Sequence, residues 1–128
     1  MAGPQAPSVD RNIEAATRFL ERIAALPPAD RERLGTESFG TSAHTAAMFT
    51  TADEVTMLRN KDREGRVSAF LVDLEQRVDG MGLNAEVGNL VKGAARAILV
   101  QDRPGLDGVA RQLYAPFEKV IPMKTVIE

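Results

Sequence analysis

His44 is the single imidazole of the chain, with Glu37 before it and Asp53-Glu54 after it. One imidazole and two or three carboxylates can hold a divalent cation. Di-metal helical bundles, however, draw Glu-x-x-His pairs from separate helices, and the sequence has no such pair. Three-His sites, two-His-one-carboxylate sites and His–His relays need more imidazoles than His44 supplies. With no Cys, thiolate zinc, iron–sulfur and Cys-nucleophile chemistry are excluded along with disulfides. The spacing around His44 implies no resident metal or cofactor. It leaves instead a ligand pocket between helices, lined by Met48, Phe49 and Met57 and bordered by His44.

Carboxylates alone can run acid/base chemistry once burial separates their pKa values. Asp73, Asp79 and Glu86 are the candidates, because they flank the most regular apolar stretch and the loop after it. Each also has a structural use. Asp73 has Arg77 at i,i+4, and Glu86 falls in a first helical turn, where the macrodipole favours an anion. Gly80-Met81-Gly82 and Gly88 lack the preceding strand and the Gly-Lys-Ser/Thr of a phosphate loop, and read as a helix stop. Ser38, Ser42 and Ser68 have no G-x-S-x-G setting.

The elements that would position these groups fit a chain of 128 residues with 44% hydrophobic content. That length suits one domain burying roughly two thirds of the surface its unfolded chain exposes. A formal charge of −2 argues against a basic nucleic-acid surface. Twelve Arg against four Lys, with eighteen Ala, is the usage of a GC-rich bacterial genome. The N-terminus shows no apolar leader and no run approaches the roughly 18 residues of a membrane span, which reads as a cytoplasmic protein with no membrane partner.

Residues 1–7 read as a disordered tail and 8–128 as a single helical domain. From Ser8 or Asp10, Ile13, Ala16, Leu20 and Ile23 form one stripe, widened by Phe19 and Leu26 and stopped by Pro27-Pro28, with Glu14–Arg18 as an outer pair. A short turn over Ala29–Leu34 follows. Residues 35–45 are the best loop candidate. Thr51-Ala52-Asp53-Glu54 matches a capping box, so a helix is expected to begin there and to meet a break at Gly65. Val67, Phe70, Leu71, Leu74 and Val78 predict a helix over 66–79. Asn84 caps another over 85–101, which carries Gly88 and Gly93 in its interior. Interior glycines cost about 0.5–1 kcal/mol relative to Ala, so they suggest close approach of a neighbour. Leu106, Val109, Ala110, Leu113 and Tyr114 predict a last helix, interrupted at Pro116.

Within that helix, Val109-Ala-Arg-Gln-Leu113 resembles the first helix of a helix-turn-helix. Ala115-Pro116-Phe117-Glu118 then lacks the turn Gly and the basic second helix that would enter a groove, so no nucleic-acid partner is expected.

The terminal segment from Lys119 has Val120, Ile121, Met123, Val126 and Ile127 without helical period. These must be covered by the domain's own core or by another chain. The expected architecture is an all-α, antiparallel bundle of four to five main helices with an extended C-terminal segment. Its core should include Ile13, Leu20, Ile23, Leu58, Phe70, Leu71, Leu74, Leu90, Ile98, Leu113 and Phe117. The expected function is non-enzymatic association, as a homodimer, through the C-terminal segment or the Gly88/Gly93 face.

Overall fold

A computed structural model describes residues 9–34, 42–101 and 109–127, with Glu32, Ser42, Ala43, His44 and Val109 described by their backbones alone. The described residues are helical, with no strand among them. The helices are α1 (Val9–Ala25), α2 (Pro28–Leu34), α3 (Ser42–Lys61), α4 (Arg66–Gly80), α5 (Ala85–Val100) and α6 (Val109–Tyr114). Single 3₁₀ turns follow at Ala115–Phe117 and Met123–Thr125. No described helix is long and apolar enough to cross a membrane. The expected tail at 1–7 lies outside the described residues.

α5 occupies the centre. Val87, Leu90, Val91, Ala94, Ala95, Ala97, Ile98 and Leu99 are all buried, and so are Gly88 and Gly93. A helix buried nearly all round needs neighbours on every side. α1 and α4 supply Phe19, Leu20, Ile23, Val67, Phe70, Leu74 and Val78 to the main core. α3 and α6 add a second cluster, in which Ala47 and Leu113 meet Ala97. The expected close approach at the interior glycines is not what holds these neighbours: a Cβ on Gly88 would lie 3.5 Å from Cγ1 of Val78, and one on Gly93 3.5 Å from Cε of Met48, both ordinary contact distances. Of the expected core, Ile13, Leu58 and Leu71 are only partly buried; Phe19 and Tyr114, which that core did not include, are buried completely.

Local chemistry sets the helix ends. Pro28 starts α2, where its missing N–H is not needed. Asn84 caps α5, its Oδ1 accepting from the Val87 N–H at 2.9 Å. Asp62 holds the start of α4, accepting from the Val67 N–H at 2.6 Å, while Gly65 adopts φ 74° between them.

Two expectations need correction. The capping box at Thr51 is not a helix start: α3 begins at Ser42, and Thr51 is buried mid-helix. Ala43, Ala46 and Ala47 favour helix, and the Thr50 and Thr56 hydroxyls donate back to the carbonyls of Ala46 and Ala52 at 3.0 and 3.1 Å. Residues 42–45 are therefore helix rather than loop, and the rest of the expected loop lies outside the described residues.

The C-terminal segment is not extended. Ile121 donates its N–H to the Phe117 carbonyl at 2.8 Å, and Val126 to Met123 at 2.9 Å. Both the Thr125 N–H and its hydroxyl return to Pro122, at 2.9 and 2.7 Å. The segment curls because Phe117, Ile121 and Val126 reach the core together only through these turns.

Gly65 needs its left-handed backbone, whereas Gly80 sits helical in open space. Gly65→Ala should destabilise the fold by about 1 kcal/mol. Gly80→Ala should stabilise it by about 0.5 kcal/mol, by removing backbone entropy from the unfolded chain. Urea unfolding midpoints read both.

Candidate functional site

The carboxylates marked by the sequence lie at the surface, and two of the three have cationic neighbours. Asp73 accepts from Arg77 Nε at 2.7 Å as the i,i+4 spacing implied. Asp79 lies 3.9 Å from Lys92 Nζ, and Glu86 is exposed in the first turn of α5. The acid with the richest setting is Glu75, which the sequence did not mark. Its Oε1 accepts from Lys92 Nζ at 2.8 Å and its Oε2 from Arg96 Nη2 at 3.1 Å, tying α4 to α5. The Lys92 hydrogen bond chiefly holds its carboxyl below the ordinary value; partial burial opposes this, and the charges of Lys92 and Arg96 add to it. Among the described residues Asp62 is the carboxylate with the least exposed side chain, at 3%, and it is spent on the α4 backbone. Among the described residues no group of three or more His, Cys, Asp or Glu side chains could hold a metal ion. Nor do two carboxylates share a buried site there, so nothing separates their pKa values for acid/base work.

The ligand-pocket candidates are dispersed. Met48 is partly buried against Gly93, while Phe49 and Met57 point to solvent with 69% and 58% exposure. His44 falls in the first turn of α3, and its side chain lies outside the described residues. Two cavities do lie beside α2, of about 270 and 330 Å³, and both are bordered by Arg31 and Met81. Arg31 donates Nη1 to the Met81 carbonyl at 3.2 Å, and its buried Nε–H has no partner among the described residues. Met48, Phe49 and Met57 line neither cavity.

The interface candidates come together in the chain's own core. Ile121 and Val126 are buried; Val120, Met123 and Ile127 pack partly buried against the same cluster, and Gly88 and Gly93 face Val78 and Met48. Three polar contacts hold this arrangement, and sequence reading found none of them. Arg18, expected to pair with Glu14, donates Nε and Nη2 to the Val126 carbonyl at 3.0 and 2.7 Å. The buried Asn12 donates Nδ2 to the carbonyls of Leu99 and Gln101 at 3.0 and 2.9 Å, closing the end of α5. The Tyr114 hydroxyl donates to the Ile121 carbonyl at 2.6 Å. Its ring lies 5.4 Å from Phe19 and 6.1 Å from Phe117, and Phe19 meets Phe117 edge-on at 5.1 Å. The available signal was a polar residue near an apolar stripe, which Asn12 and Arg18 both are.

Compared with known protein families, with characterised proteins and with solved structures, the chain matches none.

Arg18→Met keeps the alkyl stem and removes the donors, so it should cost about 1.5–3 kcal/mol, the scale of a charged hydrogen bond. A chain ending at Pro122 should lose more, since Val126 leaves the core as well. Equilibrium urea unfolding measures both.

Desolvation pushes the Tyr114 phenol well above its ordinary value near 10; Glu118 acts in the same direction and Arg22 opposes it. The folded state thus holds the proton more tightly than the unfolded chain. The stability this contributes is whole below pH 10 and is lost as pH rises beyond it. Glu75 has the opposite sign: its contribution is present above the ordinary carboxylate range and is lost as pH falls through it. Glu75→Gln should flatten the acid limb of stability against pH, and Tyr114→Phe should flatten the alkaline limb.

Proposed function

We propose that the chain is a non-enzymatic helical association module that works as a homodimer. Residues 8–128 form one antiparallel bundle domain in this reading. Support comes from the main core, to which α1, α2, α4, α5 and the segment from Tyr114 to Val126 all contribute side chains. The short links between α1 and α2, α3 and α4, and α4 and α5 favour antiparallel neighbours.

The observation that carries association is where apolar exposure remains once the C-terminal segment has been consumed. Among the described residues the large exposed hydrophobics are Phe49, Met57 and Val72. Two of these three stand on α3, on the side away from Ala47 and Val55, which α3 buries. Phe is a costly side chain to leave in water, where full burial is worth about 1.5–3 kcal/mol. The C-terminal segment and the Gly88/Gly93 face were the expected contact surfaces; both are occupied within the chain, so contact with a second molecule falls to α3. The carboxylates near the core helices serve as caps and ion pairs, which leaves an acid/base enzyme without a starting point.

Sedimentation velocity of the full chain across a hundredfold concentration range should show conversion of monomer to dimer. A monomer at every concentration would overturn the reading.

A further inference from the structure

We propose that two copies of this chain meet through the outward face of α3 about a two-fold axis passing beside Met57, with Asp53 of each copy opposite Lys61 of the other. The proposal rests on the association reading above and adds the surface, the axis and the pairing.

Asp53 and Lys61 stand four residues before and after Met57 in α3 and are both exposed. At 100° per residue they fall about 40° to either side of Met57. At 1.5 Å per residue each is also about 6 Å from it along the axis. Met57 is 58% exposed, and neither Asp53 nor Lys61 has an ion-pair partner among the described residues. The face therefore reads acid, apolar, base along the helix.

A two-fold contact requires that if one residue meets a second across the axis, the second meets the first. An antiparallel pairing centred on Met57 satisfies this without placing like charges together. Met57 meets Met57 of the partner subunit. Asp53 meets Lys61 of the partner subunit, twice by symmetry, and Glu54 falls opposite the neutral Asn60 of the partner subunit. Moving the axis to Asp53 would set two carboxylates against each other, a juxtaposition that disfavours the complex. A parallel pairing would align Asp53 with Asp53 and Lys61 with Lys61. Charge complementarity thus selects a second copy of this chain, in one orientation. Methionine suits a position near the axis, because its flexible thioether can fill whatever gap two identical side chains leave.

The opposite face of α3 is committed. Ala47, Thr51 and Val55 are buried there, and Met48 packs against Gly93. Substitutions at Asp53, Met57 and Lys61 consequently leave the bundle's own packing alone. Phe49, about two turns before Met57 and about 80° round the helix from it, lies at the edge of this contact.

The sequence has no cysteine, so Met57→Cys introduces a unique thiol at the axis. Under mild oxidation this variant should run as a disulfide-linked dimer on non-reducing gels, while Gln76→Cys, exposed on α4, should not. Asp53→Lys should weaken dimerisation by about tenfold in sedimentation equilibrium, since two attractive pairs become repulsive. The exchange Asp53→Lys with Lys61→Asp should restore it. Circular dichroism confirms that each variant keeps its helices.

A dimer whose Met57→Cys thiols fail to link, and which Asp53→Lys does not weaken, would overturn the α3 interface and leave the association reading standing. A chain that is monomeric throughout would overturn both. A partner of another kind would show as unchanged monomer in every variant and is the same contrary result.

Discussion

The structure depends on a helix that cannot face water. α5 is apolar on nearly its whole circumference, with only Asn89, Lys92, Arg96 and its ends in contact with solvent. Such a helix is stable only when enclosed, and enclosing it fixes where the others go. α1 and α4 cover it with large side chains, and α3 and α6 pack against Ala97 through Ala47, Met48 and Leu113. The polar work of the fold follows from the same constraint. A buried helix still ends in carbonyls without partners, and Asn12 of α1 supplies an amide to those of Leu99 and Gln101. The exposed strip of α5 carries Lys92 and Arg96, which Glu75 of α4 joins.

Enclosure on the remaining side requires the end of the chain. Pro116 ends α6 and turns Phe117 inward against Phe19 and Tyr114. The segment beyond curls until Val126 is buried, with Arg18 and Tyr114 gripping its carbonyls. Bringing a charged guanidinium to a main-chain carbonyl costs side-chain entropy, and two hydrogen bonds from one planar group offset it. The terminus is thereby part of the core, and its apolar content is spent inside the molecule.

Much of this was legible where periodicity was strong. The α1, α4 and α5 stripes, the Asn84 cap and the breaks at Gly65 and Pro116 all follow from spacing and from what Gly, Pro and Asn do to a backbone. α3 was harder, because its apolar residues go all round: Ala47, Val55 and Leu58 turn inward while Phe49 and Met57 turn outward, and no moment marks its start. A capping box is a local pattern, and the alanines before Thr51 outweighed it. The terminal segment has no period to read, since its shape is set by partners about 100 residues away in sequence, as with Arg18 and Val126. For the candidate site, the residue types were informative and their company was not. Asp73, Asp79 and Glu86 turned out to serve helices, and Phe49 and Met57, first marked for a pocket, stand on an open face.

In the proposed dimer α3 turns its outward face to another copy of the chain, while its inward face packs into the core. Methionine methyl resonances separate the two faces directly, because Met57 lies on one and Met48 on the other, against Gly93. In a dilution series followed by methyl NMR of the five methionines, the account predicts that the Met57 signal moves with concentration and the Met48 signal stays fixed. Five resonances that hold their positions from the most concentrated to the most dilute sample would contradict it.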